Sequence, residues 1–136
     1  MMIGHPSEYY TIHTIPPLRL EEIDEAGNVL WPPAAEAYKR MAAQILKDTG
    51  LVLRAGFAYL TPEHARRLYD EKGMSVLYPD HNFCWGLSFS LLEAGPTHGI
   101  ICEWLKNHAH EYDFYWATRF LNPKVTRFWV WDPWTE

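Results

Sequence analysis

Apolar residues recur at helical spacing in three segments of the chain. In the first, the stripe runs through Ala34, Ala35, Tyr38, Met41, Ala42, Ile45 and Leu46. It follows Pro32-Pro33 and stops at Gly50. The second segment starts with Thr61-Pro62-Glu63, which supplies an N-cap hydroxyl, a proline at the first helical position and an early acidic residue. The third stripe contains Ile100, Ile101, Trp104, Leu105, His108, Ala109 and Tyr112. We therefore expect three amphipathic helices, the second ending at Gly73.

Three further segments have the apolar character of short strands. They are Leu51–Gly56, Gly86–Leu92 and Val125–Trp131, and a fourth short strand is expected near Leu18–Ile23. Val125–Trp131 alternates between two faces that both carry apolar side chains, so both faces should be partly covered. Helices alternating with strands in this order predict an α+β domain, in which helices pack on a small, largely antiparallel sheet.

The first thirty residues show little periodicity, and Pro16-Pro17 disfavours a helix there. Gly27-Asn28 predicts a turn at the end of this region. We therefore expect an extended N-terminal arm over residues 1–30 and one domain over residues 31–136. A chain of 136 residues is long enough for a single core.

Composition narrows the classes of function. The net charge is −5 and Lys and Arg form no cluster, which argues against nucleic-acid binding. Arg66-Arg67 is expected on a solvated helix face.

The first ten residues lack the basic and apolar regions of a secretory signal, so we expect synthesis in the cytoplasm without membrane insertion. Cys84 and Cys102 do not have the spacing of a metal knuckle and are expected to be reduced thiols.

Five short patterns occur in a characteristic order. They are residues 33–41, 56–59 with 63–69, 81–91, 104–114 and 131–135. Among them, Gly56-Phe57-Ala58-Tyr59 is similar to G-Y-R-S, and Trp131-Asp132-Pro133-Trp134-Thr135 contains a sequence similar to E-P-W-H. Together they resemble the VanY-type D-Ala-D-Ala carboxypeptidases and L-alanyl-D-glutamate endopeptidases, which are zinc peptidases of bacterial cell walls. The resemblance implies a D-Ala-D-Ala carboxypeptidase-like fold of the Hedgehog/DD-peptidase type.

The resemblance also implies positions for a zinc site. The family holds zinc with His, Asp and His, uses Glu as the base and uses Arg to stabilise charge on the carbonyl oxygen. In the same order, these positions fall on His81, Ser90, Thr135, Asp132 and Ala58, with Phe83 competing for the first. A neutral serine hydroxyl is a poor zinc ligand, and threonine has no imidazole. The carboxylate of Asp132 is one methylene shorter than that of Glu.

These replacements imply a catalytically degenerate domain without a bound cofactor. The alternative is an active zinc peptidase with a rebuilt site. Its available donors are Asp80, His98, Glu103, His108, His110 and Asp113, besides His81. His108 and His110 are two residues apart on a predicted helix and so point to different faces. A nucleophilic Cys84 beside His81 is a further alternative, which needs a base within hydrogen-bond reach and a group that orients it.

A binding function would use a groove with aromatic walls. The candidate wall residues are Trp85, Trp129, Trp131 and Trp134. Arg54 or Arg119 would supply a positive group for a terminal carboxylate. The partner would be a peptidoglycan stem peptide or another protein, for example a structural protein in a phage virion. An interaction module should expose an apolar patch between Phe128 and Trp134, whereas core packing is the alternative explanation of these tryptophans.

Overall fold

The computed structural model describes residues 4–9, 19–72, 85–92, 96–116 and 128–134. In chain order the elements are Glu21–Glu22 (β1), Val29–Leu30 (β2), Pro32–Thr49 (α1), Ala55–Phe57 (β3), Pro62–Lys72 (α2), Ser88–Leu91 (β4), Pro96–His108 (α3), Phe114–Trp116 (β5) and Phe128–Trp131 (β6). Two 3-10 turns, Pro6–Glu8 and Ala109–Tyr112, complete the list. The expected α+β architecture with antiparallel sheets is confirmed.

The end of α1 and the start of α2 lie at the residues that the sequence singles out, whereas the predicted end at Gly73 lies outside the described residues. The predicted third stripe continues to Tyr112, but α3 ends at His108 and a 3-10 turn follows. The left-handed Gly50 terminates α1 with a φ of 74°, and its N–H donates to the carbonyl of Leu46 at 2.8 Å. At the start of α2, the N–H of His64 donates to the Oγ1 of Thr61 at 3.2 Å. One member of the predicted first stripe, Leu46, is half exposed and lies outside the core.

Within the described ranges, the main sheet has four strands in the order β3-β4-β6-β5, and every neighbouring pair is antiparallel. Ser88 lies opposite Val130 and Ser90 opposite Phe128. The predicted strand at Leu51–Gly56 begins only at Ala55, since its pairing with β4 starts there. Strand β5 was not predicted and pairs along the far edge of β6.

A separate two-stranded hairpin joins β1 to β2. The predicted turn at Gly27-Asn28 closes it, with Gly27 at a φ of 91°. Asp24 holds the turn, because its two carboxylate oxygens accept from the backbone and the side-chain amide of Asn28 at 3.0 and 2.7 Å.

One face of the main sheet packs on α1 and α3. Phe89 of β4 meets Tyr38 of α1 edge to face at 5.0 Å between ring centroids, and Phe114 of β5 at 5.3 Å. Trp129 lies opposite Phe89, so it shares this face. Trp104 of α3 donates its indole N–H to Asp48 at the end of α1, which ties the two helices together.

The described parts of residues 1–30 pack on the same chain. Ile23 and Leu30 belong to the core, and Pro6 is fully buried. The division into an arm and a domain stays a prediction. Within the described residues, no helix is long and apolar enough to cross a membrane.

Candidate functional site

The sheet face opposite α1 and α3 carries two buried serines. Because neighbouring residues of a strand point to opposite faces, Ser88 and Ser90 lie on the side away from Phe89. They are 0% and 4% exposed. The Oγ of Ser88 has no hydrogen-bond partner among the described residues, which is uncommon for a buried polar atom. This serine face, defined by Ser88 and Ser90, is the candidate site that the resemblance points to.

Strand β3 borders the serine face at close range. A methyl group added at Gly56 would lie 3.0 Å from the Oγ of Ser90, so this position leaves little room for a larger side chain. Phe57 pairs with Ser90, and Ala58 follows it with no exposed surface. The positions assigned to the family's Asp ligand and Arg are therefore close to one another, and both carry small neutral side chains.

Asp132 lies away from Ser90. The N–H of Trp131 donates to the carbonyl of Leu87 at 2.7 Å, whereas Ser90 pairs with Phe128. Four residues separate positions 128 and 132, which corresponds to about 13 Å at roughly 3.3 Å per residue of strand. The two positions thus lie at different points along the β4–β6 pair. The backbone N–H of Asp132 donates to the carbonyl of Asp113 at 2.8 Å.

Several predicted site residues lie outside the described residues. They are His81 and Thr135, assigned to zinc ligands, and Asp80, Phe83, Cys84 and Arg119 from the alternatives. Among the residues that the structure does describe, no group of three or more His, Cys, Asp or Glu side chains is placed to hold a metal ion. At the position assigned to the Asp ligand, the donor present is the hydroxyl of Ser90, which does not suit zinc at neutral pH.

The histidines of α3 have other contacts. The Nε2 of His98 lies 3.4 Å from the Sγ of Cys102, and burial raises the pKa of that thiol, against the lowering influence of Lys106. His108 is exposed, lies 4.9 Å from Trp104 between ring centroids and pairs with Glu111 at 2.8 Å. The two imidazoles are ten positions apart on the helix, so they do not form a metal-binding pair with i, i+4 spacing.

Most of the predicted aromatic walls are inside the protein. Trp85, Trp129 and Trp131 are 4%, 2% and 4% exposed, and Trp129 stacks on Trp116. Trp134 is half-buried and is the most accessible of the four. The apolar patch predicted between Phe128 and Trp134 is not present, because β6 is buried along its whole length. The expectation that both faces of this strand are covered is confirmed over Phe128–Trp131.

Arg54 lies at the other end of the sheet. It lines a cavity of about 230 Å³ between the end of α1, the edge strand β3 and the start of α3, together with Gly50, Leu51, Val52, Leu91, Leu92, Thr97, His98 and Ile101. The walls are mainly apolar, with one cation, which suits an anion that carries an apolar group. The carbonyl of Arg54 accepts from the N–H of Leu92, so Arg54 and the Trp134 region flank opposite ends of β4. One small ligand cannot contact both.

Solved structures identify the architecture. A zinc-bound crystal structure of the vancomycin-resistance D,D-pentapeptidase VanY, from a VanB-type resistance cassette, matches with a TM-score of 0.64. The match covers 93% of this chain and 82% of that chain at 16% sequence identity. The chain has the VanY fold.

A second match agrees with this assignment. VanYB in complex with D-alanine-D-alanine gives a TM-score of 0.64 at 15% identity, covering 83% of this chain and 76% of that chain. No protein-family model and no curated protein sequence matches the chain. The VanY fold is thus evident from the structure and from the five short patterns, at an identity where only the fold carries over.

Proposed function

We propose that this chain is a catalytically degenerate domain of the VanY fold, which binds a peptide or protein segment without cleaving it. The observation that carries the proposal is the serine face. Ser90 stands at the position assigned to the Asp ligand, is 4% exposed and lies against Gly56. A neutral hydroxyl at this position cannot replace a carboxylate in neutralising zinc.

The neighbouring position supports the same conclusion. Ala58 stands where the family has Arg, and its burial leaves no charged group there to stabilise an oxyanion. Without the Asp ligand and this Arg, a zinc-bound water would lack both its tight metal site and the electrostatic stabilisation of the attacked carbonyl.

A peptide is the first partner that we propose. VanYB was solved with D-alanine-D-alanine, and its fold is shared by this chain. A peptidoglycan stem peptide that ends in D-Ala-D-Ala is therefore the ligand to test first. A protein partner, such as a structural protein of a phage particle, is the second proposal. It is supported by the exposed apolar side chains of Val52, Leu92 and Ile100.

The test compares binding with cleavage in the same sample. The full chain is incubated with zinc and a stem pentapeptide. Release of D-alanine is measured, with VanYB as the positive control. The heat of binding is measured by calorimetry. A matched peptide that ends in L-Ala-L-Ala controls for specificity. We expect no D-alanine release above the enzyme-free rate, with heat of binding for the D-Ala peptide. Release that a chelator abolishes would instead establish a zinc peptidase with a rebuilt site, in which His81 is the first ligand to test.

A further inference from the structure

The N-terminal segment is packed against a cluster of tryptophans. His5 lies 4.9 Å from Trp134 and 6.1 Å from Trp85 between ring centroids. Pro6, the next residue, is fully buried. Trp85 comes just before β4 and Trp134 just after β6, so the segment covers one end of the central strand pair.

The tryptophans contact one another as well. Trp131 meets Trp134 at 5.5 Å and an interplanar angle of 77°, and it meets Trp31 at 6.2 Å and 62°. We name Trp31, Trp85, Trp131 and Trp134 the tryptophan slot. The indole Nε1 atoms of Trp85 and Trp131 are buried and have no acceptor among the described residues. The slot therefore combines aromatic walls with two unused donors.

The bound segment is extended at His5 and then turns, because a 3-10 turn, Pro6–Glu8, begins at the proline. His5 has φ −65° and ψ 143°, which are polyproline II values. The chain turns away directly after Pro6, since the N–H of Glu8 donates to the carbonyl of His5 at 2.9 Å. The orientation of the His5 ring is fixed by its own segment, because its Nδ1 accepts a hydrogen bond from the N–H of Ser7 at 3.1 Å. His5 lies against Trp85 and Trp134, and after the turn the ring of Tyr9 lies 6.5 Å from that of Trp31 between centroids.

We propose that the tryptophan slot is a docking site for a proline-containing segment of a partner protein that is extended before the proline and turns after it. Residues 4–9 occupy the slot in cis as a competing ligand. Grooves lined by aromatic rings recognise polyproline II segments because this conformation is already extended and loses little entropy on binding. The segment seen in the slot defines the partner's chemistry as a flat polar ring followed by proline. The proposal does not depend on the loss of catalysis, because the slot does not include Ser88 or Ser90.

A competing cis segment lowers the apparent affinity for a partner in proportion to the fraction of molecules in which the slot is open. The probe is the acetylated and amidated peptide Gly-His-Pro-Ser-Glu-Tyr, which reproduces residues 4–9, and tryptophan fluorescence and calorimetry report binding. The full chain is compared with the double variant His5→Ala/Pro6→Ala and with Glu36→Ala, an exposed position on α1 that serves as the matched control.

We expect the double variant to bind the probe on the order of tenfold more tightly than the native chain, because the slot is then open in most molecules. Glu36→Ala should bind like the native chain. A probe with alanine in place of proline should bind weakly to all three proteins. Adding Trp134→Ala to the double variant should abolish binding, because it removes the accessible wall of the slot.

Three results would overturn the proposal. The first is equal affinity of the native chain and a folded double variant; if the double variant does not fold, His5→Ala alone takes its place. The second is binding that survives Trp134→Ala in a folded protein. The third is concentration-dependent dimerisation of the native chain that the probe disrupts, which would assign the slot to a second copy of this chain and not to a separate partner.

Discussion

Asp48 at the end of α1 accepts two hydrogen bonds from side chains. The indole N–H of Trp104 donates to one carboxylate oxygen and the amide of Gln44 to the other, both at 2.8 Å. These bonds, with that of Trp104 first, hold the pKa of Asp48 below its ordinary value. The ionised carboxylate therefore favours the folded state and links α1 to α3.

The variant Asp48→Asn tests this link. Since the folded pKa is the lower one, the stabilisation is fully present above the ordinary carboxyl pKa of about 3.9 and disappears as the pH falls through the lower folded value. We expect Asp48→Asn to have a lower Tm than the native chain at pH 7, and the two to converge well below about pH 4. Thermal melts across this range measure the difference. Glu36→Gln, on the exposed side of α1, should show no such convergence, and a constant offset in Asp48→Asn would contradict the assignment.

Tyr38 of α1 combines a packed aromatic ring with a buried hydroxyl, and single substitutions can test the two parts separately. Its side chain is 1% exposed, and its hydroxyl has no hydrogen-bond partner among the described residues. Burial raises the pKa of Tyr38 well above its ordinary value, and the charge of Asp24 adds to this effect. The ring packs on Phe89, so the aromatic body and the hydroxyl have opposite effects on stability.

We expect Tyr38→Phe to leave the free energy of unfolding unchanged or to raise it by up to about 1 kcal/mol, because it removes an unsatisfied polar group and keeps the ring. Tyr38→Ala should lose about 3–5 kcal/mol, because it leaves a cavity in the core. Urea denaturation of both variants gives the comparison. A loss of more than about 1 kcal/mol in Tyr38→Phe would show that the hydroxyl makes a stabilising bond after all.

At the scale of elements, the turn before β4 connects the sheet to the start of α1. The carbonyl of Gly86 accepts from the N–H of Trp31 at 3.0 Å, and Gly86 has a φ of 70°. A methyl group there would lie 2.8 Å from that same nitrogen. Gly50 has nearly the same φ, at 74°, but open space around it. An alanine at Gly50 would therefore introduce only backbone strain, whereas an alanine at Gly86 would introduce both strain and a steric clash.

We expect Gly50→Ala to cost about 1 kcal/mol, which is the penalty of a left-handed conformation alone. Gly86→Ala should cost at least about 1 kcal/mol more, because the clash also displaces Trp31 from its hydrogen bond. Chemical denaturation of both variants measures the difference. Equal losses would mean that the Trp31 segment moves freely and does not fix the entry to α1.

The elements that the sequence predicts well are those with local signals. Helix α1 has a periodic stripe and a terminal glycine, and α2 has a capping threonine. Strand β5 could not be predicted, because it has only three residues and follows the left-handed Asp113, where no glycine marks the turn. Its identity as a strand depends on pairing with β6, which is a contact between distant segments.

In the candidate site too, some features follow from local sequence and others depend on contacts between distant segments. The neutral residues at Ser90 and Ala58 could be read from the sequence, whereas the separation of Asp132 from Ser90 depends on strand register. The tryptophan slot was only partly predicted. The sequence indicates Trp85, Trp131 and Trp134 as walls of a groove. No local signal indicates that His5 lies against Trp85 and Trp134, since it is about 80 residues from Trp85 in the chain.

On the scale of the whole molecule, the chain has the VanY fold, and Ser90 and Ala58 stand at the positions that the resemblance assigns to the Asp ligand and the Arg. The sheet order, the packing of α1 and α3 and the overall match at a TM-score of 0.64 do not depend on a zinc ligand at Ser90. A fold does not by itself fix a function, because chemistry depends on a few side chains held in place by the scaffold. We therefore expect the domain to act through binding.

The zinc content of the full chain tests this account most directly. Protein expressed with added zinc is dialysed to equilibrium against buffer with a low, known zinc concentration, and the metal is measured by elemental analysis beside VanYB as the reference. The account predicts far less than one zinc per chain, unchanged in His81→Ala. One tightly held zinc per chain, lost in a folded His81→Ala variant, would contradict it and restore a metallopeptidase as the explanation of this fold.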